Sequence, residues 1–189
     1  YRDNKFWVPP LVSDELNTLD PARNPAFKFC ESRSWLAYRQ DQVVGRITAI
    51  LNHRHIEKWG QRYMRFGWVD FIDDEEVSSA LFGAVEAWAR EKGMEAVHGP
   101  LGFTNLDHAG MLIEGFDELS TMATIYNFPY YPLHLEKLSF EKHVDWVEYE
   151  LIMSPEPHET IARIADLSRR RYNLHLLKTR NKKVLLPFT

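Results

Sequence analysis

Asp107 and His108 stand side by side in the stretch GPLGFTNLDHAGMLIEGFDE, which has no helix or strand period. A histidine next to a carboxylate is the pairing that general base catalysis uses. Asn105 and Glu114 share the stretch; the plainer reading of all four is polar loop residues forming turns. Further along, Tyr126, Asn127, Tyr130 and Tyr131 crowd the segment YNFPYY. Their phenols can donate protons, although aromatics in such a place also serve packing.

The stretch FIDDEEVSSAL, residues 71 to 81, closes a run with strand pattern and opens one with helix pattern. A helix start offers free backbone N–H groups and the positive end of a dipole, so it suits phosphate. Val77, Ser78 and Ser79 would supply the N–H groups, and the two serines could add hydroxyls. Asp73, Asp74, Glu75 and Glu76 compete for the same place. Asp73 followed by Glu76 fits a capping box, in which the protein satisfies the helix start itself.

His53 and His55 lie two residues apart, but no third ligand is placed to make a zinc site of them. They read as an exposed strand end, and no metal is expected. SRRRY and KTRNKK make residues 168 to 183 basic. Residues 155 to 189 hold eight Lys/Arg and three Asp/Glu, so with -4 overall the first 154 residues carry -9. That acidic part repels phosphates at long range, and no nucleic-acid motif is present, so nucleic acid is not the expected partner.

These residues need a scaffold. SWLAYRQ and QVVGRITAILN, joined by a turn at Gln40 and Asp41, read as a hairpin. The second strand is apolar on both faces and is expected to be central. RYMRFGWVDFI is a third strand. From Asp74 to Lys92, Val77, Ala80, Leu81, Ala84, Val85 and Trp88 recur at helical steps, and Gly93 ends the run. MEAVHGPL reads as a fourth strand. The long loop after it is of the kind that carries function. A short helix begins near Pro129, HVDWVEYELIM alternates like a long strand, and HETIARIADLSRRRY is a helix. NLHLLKTR reads as one more strand, and Ser13 to Leu19 as a short helix. The order predicts an α/β fold, a mixed sheet crossed by one helix between its third and fourth strands.

The chain has 189 residues, 44% of them hydrophobic, enough for one sizeable core. No apolar run approaches the ~20 residues that span a membrane. Cys30 is the only cysteine, which excludes an internal disulfide and points to a reducing, cytoplasmic setting. The start at Tyr1 and the shift in charge near residue 154 give the expectation of a piece of a longer protein.

WVPPL, VVGRITAI, EAWAREKG, HGPLGF, IEGFDE and YNFPYYPLHLEKLSFEK resemble a group of bacterial GNAT-like proteins, members of the N-acetyltransferase superfamily. That group tends to carry two such modules in tandem. The resemblance covers residues 1 to 153 as a GNAT-like module lacking its first helix. It makes residues 154 to 189 a linker helix and strand leading to, or packing on, a second module or a homodimer partner. It implies a mostly antiparallel mixed sheet with a V-shaped split between RYMRFGWVDFI and MEAVHGPL. It implies an N-acyltransferase that moves an acyl group from acetyl-CoA or another acyl-CoA to a small-molecule or peptide amine. The thioester arm would lie in the split, with backbone groups of Val69, Phe71 and Ile72 polarising its carbonyl. The pyrophosphate would rest on Val77, Ser78 and Ser79. Tyr130 or Tyr131 would protonate the departing thiolate, since Leu135 stands near the usual tyrosine. Asn105, Asp107, His108 and Asn127 would shape the acceptor pocket. The sequence departs from the superfamily in having DDEEVSSA for the glycine-rich phosphate loop and Ser139 for the usual glycine before Phe140. Those departures leave open a second reading, a non-catalytic structural or interaction module.

Overall fold

The computed structural model describes residues 1–152, 158–181 and 184. Strands β1 (Cys30–Arg39), β2 (Gln42–Asn52), β3 (Tyr63–Phe71) and β4 (Ala96–His98) form one sheet in the order β1-β2-β3-β4. The first three pair antiparallel, and β3 and β4 run parallel. The fold is therefore α/β with a mixed, mostly antiparallel sheet, consistent with a GNAT-like fold. The hairpin turn falls at Gln40 and Asp41, with Gln40 in the left-handed region at φ 53°. β2 is central, as its two apolar faces predict: Ile47, Ala49, Ile50 and Leu51 are all buried.

Helix α1 spans Val12–Leu19 and α2 His53–Trp59. The crossover helix α3 spans Glu75–Glu91 and buries Val77, Leu81, Phe82, Val85 and Trp88 against the sheet. Gly45 of β2 lies beneath it, where a Cβ would stand 2.8 Å from the Leu81 side chain. Gly93 adopts φ 66°, which lets the chain turn back into β4. Helix α4 spans Tyr130–Lys137, opening after Pro129. Its Tyr131 reaches the main core, and Phe140 just beyond it packs between Phe66 and Phe82.

The β3–β4 ladder is short. It ends at Arg65 and His98, and one more bond, Leu101 N–H to the Phe66 carbonyl (2.7 Å), follows. A Cβ on Gly67 would sit 2.5 Å from the Leu101 carbonyl oxygen, so only glycine allows this approach. Beyond it the chain leaves β3. Arg65 holds the departing segment by donating Nη1 to the carbonyls of Gly102 and Phe103. Opposite, β3 carries a bulge: its register with β2 shifts between Arg46 and Thr48, and Trp68 has φ 45°. The strands thus diverge from Gly67 onward, which is the expected split.

Three expectations are corrected. His53 and His55 open a helix rather than end a strand, because the Asn52 side chain caps the His55 N–H and Gly60 closes the turn in the left-handed region. Residues 143–152 form no strand, and Met153 lies outside the described residues. Val144, Trp146, Val147, Tyr149, Leu151 and Ile152 are all exposed, and among the described residues their alternation is paired with no strand. The same holds for residues 173–180, whose Leu174, Leu176 and Leu177 are exposed.

The chain divides into two compact units, Tyr1–Trp146 and Val147–Thr189. The first contains the sheet and the whole buried core. The second contains α5 (Glu159–Arg171), which keeps Ile161, Ile164 and Leu167 exposed and pairs Asp166 with Arg169 and Arg170.

Candidate functional site

Where β3 and β4 part, a cavity of about 140 Å3 opens. Gly67, Trp68, Val69 and Asp70 of β3 form one wall and Pro100 another; Tyr131 from α4 closes one side. His108, Met111, Met122 and Asn127 come from the long loop, and Tyr1 and Trp7 from the N-terminal segment. Its lining mixes aromatic, aliphatic and thioether side chains with a few polar and charged ones, which is the usual make-up of a small-molecule site.

Asp70 and Glu15 are the carboxylates in its lining. Arg46, directly opposite in the β2–β3 register, donates both Nε and Nη2 to Asp70 Oδ2 at 2.7 Å. Tyr131 is buried, donates to Asp70 Oδ1 (3.3 Å), and shares a hydrogen bond with the Tyr1 hydroxyl (2.8 Å). It also accepts the Phe71 N–H (3.2 Å). Tyr130 donates to the Phe71 carbonyl at 2.6 Å. The two phenols therefore satisfy both backbone groups of Phe71 at the outer end of the split. Burial, followed by the charge of Asp70, pushes the Tyr131 phenol far up; burial, followed by the charge of Asp73, raises Tyr130. Both are then weaker acids than a thiol, so proton transfer from either to a thiolate runs uphill.

Asp107 and His108 are neighbours in sequence but do not pair. Asp107 Oδ2 accepts the Thr104 N–H (2.8 Å) and hydroxyl (3.2 Å), closing a local turn. His108 donates Nε2–H to the Met122 carbonyl (2.9 Å), which assigns the ring lone pair to Nδ1. Asn127 is buried and brackets the loop: it accepts the Leu112 N–H (2.7 Å) and donates to the Leu112 carbonyl (3.0 Å). His108, Asn127, Val69 and Tyr131 thus meet at one cavity. Asn105, Asp107, Phe71, Ile72 and Tyr130 are not in its lining.

The start of α3 answers the contest between phosphate and carboxylate. The capping residue is Asp74, not Asp73: its Oδ1 accepts the N–H groups of Glu76 (3.0 Å) and Val77 (3.4 Å). The Asp74 N–H itself goes to the Ile72 carbonyl. Arg39 bridges Asp74 (2.9 Å) and Glu76 (3.4 Å), and Lys137 pairs with Glu75. The Arg39 guanidinium holds the Asp74 carboxyl below its usual range, and Lys137 does the same for Glu75. Ser78 is buried, donates to the Glu75 carbonyl (3.1 Å), and shares a bond with His134 Nδ1 (2.8 Å). His134 Nε2 in turn meets Asp73 Oδ1 at 2.9 Å. Ser78, His134 and Asp73 make a Ser–His–Asp chain, but Ser78 is only 1% exposed, which closes its hydroxyl to a substrate carbonyl. The chain is a buckle that fastens α4 to α3. Ser79 is exposed. These groups do not fit a diphosphate, because most donors at the helix start are bonded within the protein and four consecutive carboxylates stand among them.

A second polar cluster lies at the last rung of the β3–β4 ladder, next to the split. Arg65 Nη2 contacts His55 Nδ1 (3.4 Å), and the His55 and His98 rings stand 6.1 Å apart. Arg65 Nε and His98 Nε2 are buried without a partner among the described residues. Burial, with the Arg65 charge next, pushes His98 down to about 4. Burial also pushes the Cys30 thiol up to about 11, which makes it a packing residue rather than a nucleophile.

Sequence reasoning missed Tyr1, Arg46, Asp70 and His134. Arg46 and Asp70 become visible once the register of β2 on β3 is set. His134 stands one turn after Tyr130 and Tyr131, on the face of α4 that they share. Nothing in the sequence marked Tyr1.

Comparison with known proteins adds two relatives. The chain is 36% identical over 160 residues to protein YghO of Escherichia coli (strain K12), covering 82% of this chain and 41% of that protein. It is 33% identical over 112 residues to a bacterial ceramide synthase of Caulobacter vibrioides (strain NA1000 / CB15N), covering 59% of this chain and 29% of that protein. The chain therefore spans less than half the length of each of these relatives. No family model and no solved structure matches it. Among the described residues no helix is long and apolar enough to cross a membrane.

Proposed function

We propose that this chain is an acyltransferase module that moves an acyl group from a thioester to an amine, in the cavity where β3 and β4 part. The observation that carries the reading is the cavity itself, built on the divergence of two parallel strands. The relative named as a bacterial ceramide synthase supports the reaction class, since its name describes an amide-forming acyl transfer. The amine nitrogen attacks the thioester carbonyl carbon, the C–N bond forms, the C–S bond breaks and the thiolate leaves. The backbone N–H of Val69 stabilises the carbonyl oxygen as it gains charge. His108 Nδ1 takes the proton that the amine loses, and the thiolate takes its proton from water rather than from Tyr130 or Tyr131. Asn127 keeps the loop that carries His108 against the split.

The acceptor is a small-molecule or peptide amine, and the module works beside a companion module or a second copy. The test is to incubate the protein with thioesters of several chain lengths and a panel of amines, reading free thiol by colour and amide by mass. His108→Gln should lower kcat about 100-fold or more while leaving the fold intact by circular dichroism. The second reading, a non-catalytic module, is favoured by one observation, the self-occupied start of α3. Absence of thiol release and of thioester binding would establish it.

A further inference from the structure

Resting on the acyl-transfer reading, we infer that the donor is held by its thioester end alone and that no nucleotide diphosphate lies on α3. A nucleotide-free thioester, an S-acyl pantetheine, then serves as well as an acyl-CoA. The junction from β3 into α3 is the place beside the split where backbone N–H groups would converge on a diphosphate. Of the four N–H groups that this helix start leaves open, three, those of Asp74, Glu76 and Val77, are bonded within the protein. The nearby cations are committed too, Arg39 to Asp74 and Glu76, and Lys137 to Glu75. The Ser78 hydroxyl is buried between His134 and the Glu75 carbonyl. A diphosphate placed here would meet four consecutive carboxylates, Asp73 to Glu76, and the cations beside them are already paired.

A separate observation concerns the arm itself. The Phe71 N–H and carbonyl lie on the route from the cavity to α3, and Tyr131 and Tyr130 already bond them. An arm leaving the cavity in that direction finds both backbone groups of Phe71 taken. The remaining walls belong to the N-terminal segment and the long loop, through Trp7, His108 and Met122. They carry no cluster of cations suited to a diphosphate. Recognition falls on the acyl group, the thioester and the near part of the arm.

The test is calorimetric titration of the intact protein with matched pairs of donors at one salt concentration. The pairs are acetyl-CoA against S-acetyl pantetheine, and dodecanoyl-CoA against S-dodecanoyl pantetheine. The expected result is saturable binding in which the CoA ester of a pair is no more than fivefold tighter than its pantetheine partner. A CoA ester that binds more than fivefold tighter overturns the inference and leaves the acyl-transfer reading standing. Failure of both pairs to bind overturns that reading and the inference with it.

Discussion

Asp74 and Gly67 show how single residues decide the site. Asp74 holds two otherwise open N–H groups and is itself held by Arg39. Its replacement in Asp74→Ala should lower the thermal midpoint by about 3 °C, as expected for loss of a helix cap in a unit of this size, without weakening thioester binding. A large loss of binding would show that the helix start belongs to the site after all. Gly67 has no room for a side chain, because the obstacle is the Leu101 carbonyl and not a flexible group. Gly67→Ala must push the strands apart where the split begins and should cost about 1–3 kcal/mol in a urea titration. An unchanged urea midpoint would mean that Leu101 yields easily.

Elements in this protein are joined by polar contacts that no single-element pattern contains. Helix α4 is fastened to α3 by His134 and Lys137, and to β3 by Tyr130 and Tyr131. The aromatic crowding near residue 130 was legible as a place of interest, but its role depends on what faces it. The last rung between β3 and β4, before they part, is Arg65 and His98. There the folded protein holds the ring neutral down to about pH 4, while the unfolded chain takes up a proton near pH 6.5. Between those values the unfolded state binds more protons, so stability rises with pH and is lost progressively as pH falls from 6.5 toward 4. The drop in urea midpoint between pH 7 and pH 5 should be smaller in His98→Gln than in the parent. Equal drops would assign the pH dependence to other groups.

At the scale of the molecule, every residue of both hydrophobic core clusters precedes residue 141, within the unit Tyr1–Trp146. That unit should keep a single cooperative transition when expressed as residues 1–146, with a midpoint within a few degrees of the parent. A non-cooperative melt would show that the second unit contributes to the core. In the second unit α5 has an amphipathic pattern with its apolar residues exposed, and its basic end pairs with its own Asp166. The composition shift near residue 154 and the exposed alternating segment before it mark the same region as a transition.

The sequence by itself determined the first four strands, the crossover helix and the hairpin turn, since each rests on local periodicity and on turn chemistry within a few residues. It also placed the reader's attention on the loop and on the start of α3, because Gly, Pro and acidic residues act there through short-range rules. The tertiary structure alone decided that Asp74 is the cap, that Ser78 is spent on His134, and that Asp107 and His108 do not act as a pair. It also decided that residues 143–152 remain without a strand partner, since alternation specifies a face but not the edge that must receive it. Each of these outcomes depends on groups far apart in sequence, 56 positions in the case of Ser78 and His134. Contacts of that kind are set by how the helices lie on the sheet, which no local pattern encodes.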